Sequence, residues 1–489
     1  MLFLAFDIGT SAIKSTLIAQ SGGVVDFAEH KYPPVNGAIS STEQNPETWW
    51  SGAAHCADEL FSRNPAVCAQ VQAIGVSGHM LGCLPVDNNG SPLRPAMLHS
   101  DTRAVAEEAE IADAVGRETL YRRTGNTLSA QSTLCKILWL KRSEPELYAK
   151  TSRFLQSKDY LTAKLTGNID SSDYSDAAHA ELADIHRLTY MDDVLSELGI
   201  DIRKLPALHR GTDIAGHLMP GAARALHLTQ GIPVIVGGGD GACANAGSGI
   251  APGSMYCCLG TTAWLSYNEK RPVLDPYMRI FDIPSLDGAD IGIFGTMQAA
   301  GRCVDWAKKL FHISSDRHFN ELAALSPAGS DGLVFLPYLE GERSPIFDAR
   351  ARGVFFNINA DHRREHFCRA VFEGVAYALR SILDVHRLSV QVTDLRVIGG
   401  GSNSALWRQI LADIWGVNVW TTSVKASSVT SLGVAMAASV GVGAYKNLAE
   451  ASAAITLMEK TAPIPENGQL FDKLYDTFLQ LYPRVRALY

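Results

Sequence analysis

The chain has few of the features that mark extracellular, metal-storing or nucleic-acid-binding proteins. Nine cysteines in 489 residues include no Cys-x-x-Cys pair. No disulfide framework or thiolate metal site is therefore indicated, and buried, reduced thiols are the expected state. Cys257 and Cys258 are neighbours on a predicted strand and should point to opposite faces. Fourteen histidines show no His-Glu-x-x-His spacing, which removes the usual helical zinc motif. The formal net charge is −8, the wrong sign for a nucleic-acid backbone, so no nucleic-acid partner is expected. That balance does not exclude a nucleotide, because glycine-loop amides and Mg²⁺ hold phosphate without a net positive protein. No run approaches a membrane span, so no membrane partner is expected. The apolar opening Leu2–Phe6 stops at Asp7, has no basic stretch before it and is too short for a secretory leader. A cytoplasmic location is the expectation. Low-complexity segments and long linkers are also missing.

What the chain does carry is one device used twice. Leu2-Phe3-Leu4-Ala5-Phe6 runs into Asp7-Ile8-Gly9-Thr10-Ser11, followed by the apolar-rich Ile13–Ile18. Met255-Tyr256-Cys257-Cys258 runs into Leu259-Gly260-Thr261-Thr262, followed by Ala263-Trp264-Leu265. Each reads as a strand, a Gly-Thr turn and a second strand, and the turn offers the amides and hydroxyl that a phosphate chain needs. A second echo follows in each half. Val234–Val236 leads into Gly237-Gly238-Gly239-Asp240, and Leu395–Ile398 leads into Gly399-Gly400-Gly401-Ser402. Glycines at a strand end let a ligand approach the backbone closely. Any one of the four segments is usually just a turn; their order in both halves suggests a nucleotide clamped between two domains.

A length of 489 residues with 46% hydrophobic and 19% charged content fits a globular protein of two or three domains. The division is placed at residues 1–247 and 248–489, with the small-residue stretch Gly241–Gly253 as a hinge helix. Residues 1–28 read as a strand meander. Asn45-Pro46 caps a helix through Trp49, Trp50 and Phe61, and Val71–Val76 is a short buried strand. Of the two tryptophans, at most one is free to reach a cleft. Helices are predicted over 104–122, 134–149, from Lys158 to near Gly167, Gln298–Leu310, 363–387, Ser404–Trp415 and Asp472–Leu488.

Taken in order, Asp7-x-Gly-Thr, Gly-Gly-Gly-Asp240-Gly, Leu259-Gly-Thr-Thr, Leu336-Pro-Tyr-Leu-Glu-Gly-Glu-Arg343-Ser-Pro and Gly-Gly-Gly401-Ser resemble the FGGY carbohydrate kinases over nearly the whole chain. The xylulokinase branch is the most similar, through Thr124-Gly125-Asn126, Lys136–Trp139, Lys158–Leu161, Ser175–Ala178 and Trp407-Arg408-Gln409. The resemblance implies a two-domain α/β fold of the actin/hexokinase/Hsp70 type (ribonuclease H-like), with duplicated mixed sheets and a cleft between the domains. It also implies an ATP- and Mg²⁺-dependent kinase acting on a sugar or polyol; a homodimer is suggested by the resemblance alone. The sequence departs from that branch where the sugar should sit. Gly-Gln-Met-His-Gly becomes Gly78-His79-Met80-Leu81-Gly82, and Trp-Asn-Asp-Gly-Arg becomes His99-Ser100-Asp101-Thr102-Arg103. Gln131 stands where glycerol kinases have a Tyr.

The implied roles follow. Asp240 is the general base for the sugar hydroxyl; its bland reading is a strand-end cap. Asp7 holds Mg²⁺, directly or through water; the bland reading is a turn aspartate. Thr10, Ser11 and Lys14 meet the phosphates from one side, Gly260 and Thr261 from the other, with a solvated strand lysine as the rival reading of Lys14. Gly400, Gly401 and Ser404 match the adenosine site. His79, Met80, Asp101, Gln131 and Asp240 are the sugar-binding candidates; an ion pair with Arg103 is the rival reading of Asp101, and His99 is evenly balanced. Glu342 and Arg343 are read as an internal ion pair fixing a loop, Asp173 and Asp176 as turn and cap residues. An Hsp70-like ATPase would need a peptide-binding domain, and only about 85 residues follow the last glycine motif. A sugar sensor would have no need of Asp240.

Overall fold

The computed structural model describes residues 1–32, 42–250, 253–424 and 428–489. Two seven-stranded sheets organise it. In the first, Leu2–Ile8, Ala12–Ala19 and Val24–Lys31 form the expected antiparallel meander. Val71–Gly78 then adds in parallel beside Leu2–Ile8, and Pro233–Ile235 beside it in turn, with Ile214–His217 at the edge. In the second, Met255–Leu259 and Ala263–Glu269 form the hairpin, with Ile291–Met297 and Phe281–Pro284 on one side. Asp394–Ile398 lies parallel to Met255–Leu259 on the other, followed by Asn418–Thr422 and Leu457–Thr461. The repeat seen in the letters is thus a repeat of topology: a hairpin whose first strand also pairs in parallel with a strand ending in glycines.

Each sheet has its own core. Leu4, Phe6, Ile8, Trp49, Leu60, Ile74 and Leu161 lie in the first, and Leu265, Ile293, Phe335, Phe372, Leu411 and Phe478 in the second. Phe3, Ala5 and Ala73 from the opposite face of the first sheet pack against Cys243 and Leu432, Val434 and Ala435. So the helix Val429–Gly441, late in the chain, covers the early sheet. It meets the helix Asp240–Gly247 through glycine: a Cβ on Gly433 would lie 1.8 Å from the Cys243 carbonyl oxygen, and one on Gly247 1.9 Å from that of Val429.

Several predicted helices differ in extent. The 104–122 stretch divides into Val105–Ala114 and Arg117–Thr124, because Gly116 between them adopts φ 89°. The 134–149 stretch ends at Ser143 and restarts at Pro145, where a proline lacking its N–H opens a new helix at no cost. The Gly301–Leu310 helix starts later than Gln298, and the C-terminal helix, Pro465–Val485, starts well before Asp472. The hinge stretch is helical over Asp240–Gly247; residues 251–252 lie outside the described ones. All nine cysteines are free, and eight are buried. Among the described residues no helix is long and apolar enough to cross a membrane.

Candidate active site

Parallel pairing builds the edge that carries the catalytic candidates. Asp7 is level with Ser77, Ile8 with Gly78, and Gly238 and Gly239 with Ser77 and Gly78. Three strands therefore end together, and Asp7, His79 and Asp240 leave the sheet at one edge. Gly237 and Gly239 are needed there: a Cβ would come within 2.0 Å of the Val76 carbonyl oxygen at Gly237, and within 2.6 Å of the Met80 side chain at Gly239. Asp240 opens its helix, and its Oδ1 accepts from the Gly241 N–H at 2.7 Å. The side chain is open to water yet deep among protein atoms. That enclosure, with the charge of Asp7, pushes its carboxyl up to about 7, against the pull of the Gly241 N–H and Arg343. Burial raises Asp7 to about 6, opposed by Lys14, its partner across the hairpin. Among the described residues no group of three or more His, Cys, Asp or Glu could hold a metal ion. One or two carboxylates beside a phosphate loop are nevertheless the donor set of Mg²⁺, which completes its shell with water and phosphate oxygen.

The loop after Val71–Gly78 carries the sugar candidates. His79 is buried, and neither ring nitrogen has a partner among the described residues. Burial, then His99 and Lys136, lower it to about 3, so the imidazole is neutral and able both to donate and to accept. The ring packs edge-on against Trp49 at 5.6 Å and lies 6.3 Å from His99. Trp49 is thus the tryptophan turned inward; Trp50 is half-buried beneath the Lys164 ammonium. Met80 underlies Gly239. Leu81 adopts φ 60°, a left-handed conformation rare outside glycine. Asp101 is buried, and its oxygens accept from Arg103 Nε at 2.9 and 3.0 Å and from Thr42 Oγ1 at 3.0 Å. Burial raises that carboxyl, and these bonds more than offset it, leaving it below its ordinary range. The Arg103 ion pair is therefore present. Gln131 is exposed before the Thr133–Ser143 helix. Gln156 is the glutamine beside His79: the two flank the point where a Gly82 Cβ would stand, at 3.1 and 3.9 Å. Nothing in its local sequence singled it out.

The second group of candidates lies on the second sheet. Cys258 is level with Ile398, so the Gly260 turn and the Gly399–Gly401 segment emerge side by side. Gly399 has φ 102°, and a Cβ there would lie 2.5 Å from the Leu259 carbonyl oxygen. Gly260, Thr261, Gly400, Gly401 and Ser404 line one cavity of about 860 Å³, with Asn320 among its walls. The Gly9 and Gly260 amides close their own turns, onto Ala12 and Thr262. Ser404 caps the Ala405–Trp415 helix, accepting from the Trp407 N–H at 3.0 Å and donating to Asn320.

Glu342 and Arg343 differ from expectation. Glu342 fixes the loop by accepting backbone N–H groups, from Gln298 at 2.6 Å and Arg343 at 2.7 Å, and not the guanidinium. Burial pushes its carboxyl up to about 7. The Arg343 charge acts across the cleft on Asp240, His99 and His179. A strand-end pattern cannot reveal that, since the influence runs between the two halves.

Models of known families match the chain in two places: the N-terminal domain of the FGGY family of carbohydrate kinases over residues 2–247, and the C-terminal domain of that family over residues 255–442. A xylulose kinase of Bacillus subtilis is 32% identical over 494 aligned positions, covering 99% of this chain and 97% of that protein. A gluconokinase of the same organism is 27% identical, covering 98% and 95%. In fold, the chain superposes on a ligand-bound xylulose kinase from Lactobacillus acidophilus with a TM-score of 0.92 at 24% identity, covering 99% of this chain and 98% of that one.

Proposed function

The chain belongs to the FGGY family of carbohydrate kinases and is an ATP-dependent sugar kinase; on that premise we propose that Asp240 is its base and that D-xylulose is a poor or secondary substrate. The observation that carries this reading is the shared strand edge holding Asp7, His79 and Asp240, with the Asp240 carboxyl raised by burial and by Asp7. Asp240 takes the proton of a sugar hydroxyl. The hydroxyl oxygen bonds to the γ-phosphorus as the bond to ADP breaks, and ADP leaves. Thr10, Ser11, Lys14 and Thr261 hold the phosphates, and Gly400, Gly401 and Ser404 the adenosine. Mg²⁺, held at Asp7, would neutralise charge on the phosphate oxygens. His79 and Met80 face the sugar. Asp101, already paired with Arg103, shapes the pocket through that pair, and Gln131, exposed before the Thr133–Ser143 helix, remains a sugar-binding candidate. Residues 1–247 and 248–489 act as the two jaws, in a cytoplasmic enzyme.

The choice of sugar rests on Leu81, a group that neither donates nor accepts where xylulokinases have an imidazole. A sugar acid is the second reading, supported by the Arg343 charge facing His99 and His179. A coupled ADP-release screen over ketopentoses, alditols and aldonates tests both. Sugar-dependent ADP release that Asp240→Asn lowers by about 10²-fold or more supports the role of Asp240. A variant within about tenfold of wild type refutes it, and D-xylulose as the best substrate refutes the reading of Leu81.

A further inference from the structure

Behind the catalytic edge lies a polar cluster that none of the steps above uses. Lys158 is completely buried. Its ammonium contacts Asp159, stands 3.0 Å from Asp173 and 3.5 Å from Asp176, and all three carboxylates are buried too. One cation among three carboxylates far from water is costly unless each group is held by several bonds. Most are: Asp159 accepts from the Gln156 N–H at 3.0 Å and from Ser172 Oγ at 2.9 Å. Asp173 accepts from the Ser175 N–H at 2.8 Å and also from its hydroxyl. Asp176 has both carboxylate oxygens without a hydrogen-bond partner among the described residues.

Two bonds lead from this cluster to the site. The Ser175 hydroxyl, donating to Asp173, accepts from the Gly239 N–H at 3.2 Å. Gly239 immediately precedes Asp240. On the other side, Ser157, the neighbour of Lys158, donates through Oγ to the His79 carbonyl oxygen at 3.1 Å. The approach is close on both sides. A Cβ on Gly238 would stand 3.3 Å from Ser175 Oγ, and one on Gly78 2.4 Å from Ser157 Oγ. The cluster therefore grips the last residue before the base and the first residue of the sugar loop.

We propose that Ser175, anchored through Asp173 to Lys158, is a positioning residue for Asp240. Its hydroxyl donates to Asp173, whose other oxygen forms an ion pair with the lysine at 3.0 Å, so its acceptor side is aimed at Gly239. The Gly239 peptide is thereby fixed in register with Gly78, and the Asp240 carboxylate is set against the sugar hydroxyl. Small displacements of a reacting group cost rate more than binding.

This inference rests on the reading of Asp240 as base, and the experiment separates the two. Ser175→Ala, Ser175→Cys and Asp240→Asn are assayed with the best sugar of the screen, with thermal melting for each. Ser175→Ala is expected to lower kcat about tenfold or more while the KM values for sugar and ATP stay within about threefold. Ser175→Cys, which fills the same space with a poor acceptor, should show the same split if the alanine variant is recovered unfolded. A lower melting temperature with wild-type kcat in either folded variant overturns the proposal, leaving a purely structural role. Full activity in Asp240→Asn overturns the reading of the base instead.

Discussion

Lys136 donates a 2.7 Å hydrogen bond to the carbonyl oxygen of Leu81 from a side chain with no exposure to water. A second bond of 2.6 Å goes to the Leu98 carbonyl oxygen. One buried ammonium thus ties together the Gly78–Gly82 and Leu98–Asp101 loops. Burial lowers it to about 8, so it is mostly protonated at neutral pH. Lys136→Met would remove the donor to the Leu81 carbonyl, at about 1–3 kcal/mol, while the Leu98 carbonyl keeps the Asp101 N–H at 3.0 Å. Sugar KM should rise about tenfold or more with ATP KM nearly unchanged, as read from initial rates. Equal changes in both would point to general unfolding.

The pH dependence follows from Asp240, whose carboxyl is raised to about 7 by burial and by Asp7. A base works only when deprotonated, so kcat/KM should fall as pH drops below about 7 and reach a plateau above it. The raised value also means that the folded state prefers the neutral acid. Stability from this group is full below the unfolded carboxyl range and is lost as pH rises through about 7. Asp240→Asn should therefore melt higher than wild type at pH 8, with the difference vanishing at pH 4. A flat kcat/KM between pH 5.5 and 8 would contradict the assignment.

Asp7→Asn should raise the Mg²⁺ concentration needed for half-maximal rate while leaving sugar binding in place. Asp7 is a raised, partly exposed carboxylate whose shift is opposed by Lys14, its partner across the hairpin. Magnesium titration at fixed ATP gives the first quantity and quenching of Trp49, beside His79, the second. An unchanged titration removes Asp7 from the metal's shell.

Leu81→His should shift preference toward D-xylulose. A site built to bond a hydroxyl rejects the analogue lacking it, because the buried partner is left alone. The ratio of kcat/KM for D-xylulose to that for the best sugar should rise about tenfold, for a bond worth about 1–3 kcal/mol. Wild type already at about 10⁴ M⁻¹s⁻¹ with D-xylulose would defeat the argument.

Gly433→Ala should destabilise the whole molecule, since its Cβ would lie 1.8 Å from the Cys243 carbonyl oxygen, between helices that link the two sheets. Overpacking of this kind costs about 1–3 kcal/mol or more. Differential scanning should show a lower melting temperature; an unchanged one would mean the helices separate freely.

Much of this protein was legible before its tertiary structure. The strands of both hairpins, the glycine-ended strands and the helix begun by Asn45-Pro46 follow from alternation, turn chemistry and capping, which act over a few residues. The placing of Asp7, Asp240 and the two Gly-Thr turns at strand ends was legible for the same reason: each lies on a segment that declares its own geometry. The surroundings of His79 and Leu81 were not. Gln156 beside His79, Lys136 under Leu81, Arg343 across the cleft and Lys158 behind Ser175 come from separate elements, and their roles exist only once parallel pairing has brought those elements to one edge. The late helix Val429–Gly441 on the early sheet is of the same kind. Local sequence determines which way a segment turns; which buried charge meets which carbonyl is decided by packing, where desolvation forces every polar group to find a partner wherever the chain provides one.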